Sequence, residues 1–426
     1  MKKIILSFFL LTTVAVNAQR TCGMEQKMQQ IMSDPIQKEA YLKDQQKFQI
    51  ELEKLSNRTY RSGETNENVN ATIRIPIAVH YPSVATNASA ALKTCLRNLA
   101  QNQVNILNAD YNATNTDVSN WNNVSSLFPM VNGVGSIDVE FVLATQNHPA
   151  AAGIANGTVA VTFGTDFLNG ADQDFTWTGY VNIVVRYANG NLGYSVLGGS
   201  PNQGHTVVID TEAFGSGAGC TDYVPGAPYN KGRTLTHELG HYFNLDHTFN
   251  GCGETNCAVY NVNNPVGDGI CDTPPQTNAT GGCPNPSTVM SCTSGQRALS
   301  MNYMDYTNDN CMYMFTPGQA TRMLARYNTI AGQIRTNTLS NNEVVKNNFT
   351  IAPNPNNGSF TIQFKDLSND YSVEIFDVSG RMVYENYYTL SSNLSQEITL
   401  DKPSSGLYFV NVKSGSVITT EKIIIK

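Results

Sequence analysis

The chain has 426 residues, long enough for two or three domains, with a formal charge of −7, 14% charged residues and a pI near 5.4. That acidic balance, with no cluster of Lys or Arg able to track a phosphate backbone, excludes nucleic acid and an anionic membrane surface as partners. Gly, Asn, Ser and Thr are abundant, as in a loop-rich secreted protein.

Lys2 and Lys3 precede an apolar run from Ile4 to Val16, closed by Asn17-Ala18. This is the charged start, short apolar stretch and small-residue end of a signal peptide, predicted over residues 1–18. The run is too short to cross a bilayer, and no other stretch approaches the roughly 20 apolar residues a span needs. Residues 19–61 are polar, with helical spacing over Tyr41–Leu55, and cannot bury a core of their own. They carry one cysteine, Cys22, within Arg20-Thr21-Cys22-Gly23; the other eight lie between Cys95 and Cys311. Export permits disulfides, and nine is odd, so one thiol is left over. A leftover thiol is either free, paired to another chain, or used as a ligand. Arg58 and Arg61, within the exposed-looking Ser56–Asn70, are candidate processing points.

From Ala71 the pattern turns to alternation. Ile73–His80 reads as a first strand, its His80 structural for want of a spaced partner. Ala90–Ala109 reads as a helix, and Val139–Leu143 and Val181–Val185 as strands. Strands, a helix and a second helix describe an α/β lobe. That second helix carries Arg233–His247, RTLTHELGHYFNLDH. His237 and His241 are four apart and share one helix face, so both imidazoles reach one tetrahedral ion. Glu238, between them, is placed to touch a water beside that ion. His247 becomes a third ligand only if the chain stops and turns back after Phe243. Asn244 suits that turn, because Asn tolerates a left-handed backbone best after Gly. HExxH alone also occurs on ordinary surface helices; the third histidine and a second motif downstream weigh against that reading.

The second motif is Ser300-Met301-Asn302-Tyr303-Met304-Asp305-Tyr306. A methionine turn with a tyrosine two residues on marks the metzincin metalloproteases. With HTVVID (205–210), GDGICDTPPQ (267–276), NYMDYTNDNCMYMFTPGQ (302–319), IPIAVHYP, LNADYNATNTDVSN and VEFVLAT, the chain from about Ile75 to Tyr327 resembles the pappalysin family of metzincins in its bacterial branch. The resemblance implies an α/β metzincin domain with a mixed sheet, a zinc helix and a disulfide-rich lower lobe. It implies one catalytic Zn2+ on His237, His241 and His247, Glu238 as general base, Tyr306 as oxyanion support and Met304 beneath the site. It implies protein or peptide substrates lying along a sheet edge, for which Leu192–Ser195 is the candidate. Short pro-segments of such enzymes hold the zymogen latent through a cysteine, which makes Cys22 a zinc ligand of the latent form. Asp268 and Asp272 become candidate Ca2+ ligands, though two carboxylates are fewer oxygens than that ion takes, and solvated loop acids read the same way. Arginine-selective relatives carry Asp just before the cysteine after the methionine turn; here that position is Asn310, with Asp309 adjacent, which puts a preference for Arg or Lys after the cut in doubt. The resemblance also pairs Cys283 with Cys311 and Cys292 with Cys252 or Cys257, the other of those two going to Cys271 and Cys95 to Cys220.

Thr316 and Pro317 open a helix running to Arg335, ending a domain predicted over 62–335, and 336–348 is polar linker. Phe360–Phe364, Ser372–Phe376, Glu397–Leu400, Leu407–Val412 and Ile418–Ile425 alternate between turns, predicting an Ig-like all-β sandwich over 349–426. IAPNPNNGSF, VEIFDVSGRMVYE, GLYFVNVKSG and the final EKIIIK resemble the C-terminal sorting domain of type IX secretion cargo, implying that machinery as a partner and a secreted or outer-surface location. The expectation is a secreted zinc endopeptidase made as a zymogen. The alternatives are a non-catalytic zincin-fold adhesion protein, which has no need of Glu238 and Tyr306, and an exported zinc hydrolase of small molecules.

Overall fold

The computed structural model describes residues 20–61, 73–164, 166–252, 267–338, 349–364, 371–389, 394–414 and 417–426. The predicted signal peptide, residues 62–70 of the candidate processing stretch and Cys257 lie outside these. The chain divides into two compact units, 1–339 and 340–426.

The first unit opens with two helices, α1 (Met24–Ser33) and α2 (Pro35–Arg61), a longer helical stretch than the spacing of Tyr41–Leu55 predicts. β1 (Ile73–Tyr81) lies at the middle of a sheet and α3 (Ala90–Tyr111) packs across it, capped by the Ser89 hydroxyl on Leu92 N at 3.2 Å. After the short α4 (Trp121–Val124) come β2 (Val139–Leu143), β3 (Val161–Phe163), β4 (Val181–Val185), β5 (Gly193–Tyr194) and β6 (Thr206–Ile209). The strand order is β2-β1-β4-β6-β5, with β3 also on β1; all pairs are parallel except β5 against β6. Parallel strands are covered on both faces, so they read as near-continuous apolar runs. Ile75, Ile77 and Val79 of β1 and Val181, Ile183 and Val185 of β4 face the core under α3, while Ala78 and Val184 face a second cluster around Trp177 and Tyr180. His80 is buried in that second layer between the Thr162 hydroxyl (2.9 Å) and the Asn182 side-chain oxygen (3.2 Å), where burial pushes its pKa down to about 3. Its role is structural.

The helix that carries the HExxH residues is α5 (Arg233–Tyr242), and every one of its residues is buried. Beyond it, residues 267–300 contain no strand and only one turn of 3₁₀-helix among the described residues. Two disulfides, Cys252–Cys292 and Cys283–Cys311, hold this lower lobe, where Cys271 is disulfide-bonded too; a third, Cys95–Cys220, ties α3 to the segment before α5. Among the described residues Cys22 is the free cysteine. α6 (Pro317–Ile330) begins with the expected Thr316 cap, which closes a reciprocal pair with Gln319, but ends earlier than Arg335, in a 3₁₀ turn over Ala331–Gln333. The expected linker also starts later than Thr336, because Thr338 O accepts from Thr145 N and Gln146 N at 3.0 and 2.9 Å and keeps this stretch on the unit.

The second unit is two antiparallel sheets. β7 (Phe349–Ala352), β8 (Ser359–Phe364) and β11 (Ser395–Thr399) form one, in the order β11-β8-β7. β9 (Tyr371–Asp377), β10 (Met382–Tyr388), β12 (Gly406–Ser414) and β13 (Val417–Ile425) form the other, in the order β10-β9-β12-β13. Inward residues such as Phe360, Ile362, Val373, Ile375, Val410 and Ile423 make one apolar core. β7 and β10 were not foreseen, since the mostly exposed Tyr, Asn and Glu of β10 show no alternation.

Candidate metal centre and cleft

α5 ends at Tyr242, and Asn244 takes φ 71°, the left-handed conformation expected of it. Leu245 N then bonds back to Gly240 O at 2.9 Å, and the reversed chain brings His247 beneath the helix. His241 Nε2 lies 3.2 Å from His237 Nε2 and 3.1 Å from His247 Nε2. The Nδ1 atoms of His237 and His241 sit 2.7 Å from Tyr303 O and Leu245 O. A carbonyl only accepts, so both Nδ1 atoms carry hydrogen and both Nε2 atoms present lone pairs. Converging lone pairs repel unless a cation lies among them. The spacing is close to the edge, about 3.3 Å, of a tetrahedron with ligand bonds of about 2.0–2.1 Å, so the residues fit zinc. Burial holds all three imidazoles well below their ordinary pKa, His241 at about 4, so each is neutral and ready to ligate at neutral pH. Gly240 is required on this helix, because a Cβ there would lie 2.5 Å from Met304 Sδ; Met304 supports the helix from below.

A fourth ligand atom completes the cluster. Cys22 Sγ and the three histidine nitrogens all lie within 4.8 Å of one another, the one such group of His, Cys, Asp or Glu among the described residues. The same thiol is 3.2 Å from Glu238 Oε2. Burial pushes the Glu238 carboxyl up to about 8, offset by the Cys22 hydrogen bond and the Arg20 charge. The Cys22 thiol is raised by burial first and by Glu238 second. The Tyr306 ring centroid lies 5.7 and 5.1 Å from the rings of His237 and His247, and burial, with the charges of Cys22 and Glu238, raises its hydroxyl pKa.

The segment holding Cys22 runs along β5. Leu192 N donates to Thr21 O at 2.9 Å and Gly23 N to Gly193 O at 3.0 Å, so residues 21–23 lie parallel to the strand as an added edge. Gly193 brings that edge over α5: a Cβ there would meet Glu238 Cγ at 2.8 Å. Arg20 enters a pocket whose floor is Asp309. Arg20 and Asp309 form an ion pair with side chains 1% and 0% exposed, Thr234 Oγ1 accepts from Arg20 at 3.3 Å, and the guanidinium lies 5.1 Å over the Tyr229 ring. Lys231 N and Arg233 N donate to the other Asp309 oxygen at 2.8 and 3.3 Å. Asn310 is exposed. The acid one position earlier, Asp309, is the one turned inward.

The same segment is anchored a second time, behind the site. On α2, Gln45 and Asn244 exchange two side-chain hydrogen bonds (3.2 and 3.1 Å), Asp44 pairs with Arg326, and Phe48 lies under the Arg322 guanidinium at 5.1 Å. Nothing in the polar sequence of α2 marks these contacts, because each is made with a residue about 200 or more positions away. The proposed calcium ligands are otherwise engaged: Asp272 accepts from Thr316 Oγ1 and Gly318 N at the start of α6, and Asp268 from Ile270 N and Thr273 Oγ1. These contacts do not bring Asp268 and Asp272 around a common point.

Residues 171–328 match the family described as pregnancy-associated plasma protein-A, and residues 350–426 the secretion system C-terminal sorting domain. An extracellular metalloprotease of Verticillium alfalfae is 41% identical over 150 residues, 34% of this chain and 49% of that one. One from Podospora anserina is 28% identical over 299 residues, 68% and 86% of the two chains. The chain thus spans about half the length of the first relative and most of the second. A promirolysin mutant of Tannerella forsythia superposes with a TM-score of 0.50 at 28% identity, covering 73% of this chain and 95% of that one. No helix among the described residues is long and apolar enough to cross a membrane.

Proposed function

We propose that this secreted chain, whose residues 171–328 are a pappalysin-type metalloprotease domain, is the latent precursor of a zinc endopeptidase. The observation that carries the reading is the convergence of three neutral imidazoles on one point, with a carboxylate and a thiol at its open side. His237, His241 and His247 would hold the ion. Zinc, when bound, supplies a Lewis acid and lowers the pKa of a water from about 15.7 to about 7. Glu238 takes a proton on a carboxylate oxygen as water adds to the scissile carbonyl, then delivers it to the departing nitrogen as the C–N bond breaks. The Tyr306 hydroxyl stays protonated and donates to the oxygen that gains charge. Asp309 selects a basic side chain immediately after the cut, with Arg20 as its stand-in.

Latency has two parts in this reading. Cys22 takes the fourth position with Glu238 turned onto it, and the paired edge at β5 lies where substrate backbone would lie. A cation among the histidines favours the thiolate that burial alone opposes. α2 adds a hold independent of the metal. Activation is then loss of residues 19–61, and residues 350–426 hand the chain to a type IX secretion apparatus.

The test is casein hydrolysis by the chain beginning after Arg61, beside its Glu238→Ala variant, with zinc measured in both. One zinc in each and cleavage by the parent alone supports the reading. Zinc in both and cleavage by neither, on proteins or peptides, means the fold serves another purpose.

A further inference from the structure

The mechanism leaves several deeply buried carboxylates unused, Asp110 among them. Asp110, in the LNADYN stretch at the end of α3, is 2% exposed and distant in sequence from the zinc helix. Its Oδ2 accepts from Thr236 Oγ1 at 2.7 Å, and its Oδ1 from the Tyr303 hydroxyl at 2.8 Å. Tyr303 O in turn accepts from His237 Nδ1 at 2.7 Å. Thr236 and His237 are neighbours, so these bonds close a ring: carboxylate, Thr236, His237, Tyr303 main chain, Tyr303 phenol, carboxylate. Thr236, His237 and Tyr303 are all 0% exposed. The Arg233 guanidinium lies 3.6 Å from Asp110 Oδ1 and 5.5 Å over the Tyr303 ring, which balances the buried charge.

We infer that Asp110 is a positioning residue for the metal centre: through Tyr303 and Thr236 it fixes the ring orientation and tautomer of His237. The inference rests on the reading that His237 is a zinc ligand. A histidine ligand keeps its orientation and basicity only while its other nitrogen has a fixed acceptor. Here that acceptor is a main-chain oxygen in the methionine turn, a segment without regular structure of its own. The phenol anchors that segment to α3, and the same carboxylate anchors the helix residue beside the ligand. In a dry interior each bond is strong and its loss leaves a partner unsatisfied.

The structure offers a matched control. The Tyr111 hydroxyl is equally buried and also serves residue 236, donating to Thr236 O at 3.1 Å, but it lies outside the ring. Zinc release from the zinc-loaded full chain into excess chelator is compared for the parent, Tyr303→Phe, Tyr111→Phe and Asp110→Asn, with Tm alongside. The expected result is release about tenfold faster from Tyr303→Phe, and within about twofold of the parent from Tyr111→Phe, although both lose a buried hydroxyl and similar Tm. Asp110→Asn releases at least as fast as Tyr303→Phe, and the double variant no faster than Asp110→Asn, because both cut one ring. Equal release from the two phenylalanine variants overturns the inference, and that pair decides even if Asp110→Asn fails to fold. A parent that takes up no zinc overturns the ligand reading beneath it, an outcome distinct from zinc held equally well by all.

Discussion

In residues 20–338 the largest fully buried side chains include three arginines, Arg20, Arg322 and Arg326, and the centre of the unit is lined by histidine, aspartate and glutamate. In residues 349–426 the buried set is chiefly Phe, Tyr, Ile, Leu and Val, with Asn356 and Glu374 the buried polar and charged residues among those described. All six histidines lie in the first unit. A unit that performs chemistry must take ionisable groups out of water and give each a partner, so its stability depends on directional bonds. The second unit shows the other solution, a sandwich held by apolar side chains with few ionisable groups buried within it.

The contrast can be broken from either side. The largest effect is expected in the second unit: Ile375→Ala, at a fully buried position, should cost that unit about 2–5 kcal/mol by the cavity it leaves. Denaturant unfolding of the secreted chain would show it, with casein cleavage by the activated enzyme unchanged; lost cleavage would mean the units depend on each other. Next is Asp309→Asn, expected to lower kcat/KM about 100-fold, ~2.7 kcal/mol, for peptides with Arg after the cut and far less for those with Leu. An equal loss on both peptides would assign Asp309 to structure rather than selection.

Acid should separate the units more gently. His80 has a folded pKa of about 3, below the ordinary 6.5, so the unfolded chain binds the extra proton. Its contribution is complete above pH 6.5 and is lost as pH falls toward 3, at about 1.4 kcal/mol per pH unit. The second unit has no histidine, and its Asp377, held down to about 2 by hydrogen bonds from Ser379 and Arg381, loses its contribution only below the ordinary 3.8. Scanning calorimetry between pH 6.5 and 4.5 should lower the first transition and leave the second in place; parallel shifts would refute the assignment. The smallest effect is at Gln45→Ala, which leaves the buried Asn244 amide unpaired. It should weaken inhibition of the mature enzyme by an added 20–61 peptide about fivefold, ~1 kcal/mol. Unchanged inhibition would take Gln45 out of the hold and leave it to the other contacts of the segment.

Much of the centre was legible because its determinants are local. Four-residue spacing puts His237 and His241 on one face in any α-helix, and Asn244 is where a left-handed turn returns His247. Ile73–His80, Val139–Leu143 and Val181–Val185 were legible as strands, whereas the short β3 (Val161–Phe163) and β6 (Thr206–Ile209) were not. Most strands of residues 349–426 were legible too, as alternating runs between turns.

Other features belong to tertiary structure alone. Whether Asp309 or Asn310 floors the pocket turns on which way one loop residue points, and the amides of Lys231 and Arg233 decide that from 76–78 positions away. The grip of α2 on Asn244, and the ring that ties Asp110 to His237, join segments whose own patterns carry no trace of one another. The sequence by itself determined which atoms could hold a metal, because ligand spacing is a property of one helix and one turn. Only the folded chain decided what surrounds them, because desolvated polar groups take their partners from whatever the packing brings within hydrogen-bond reach.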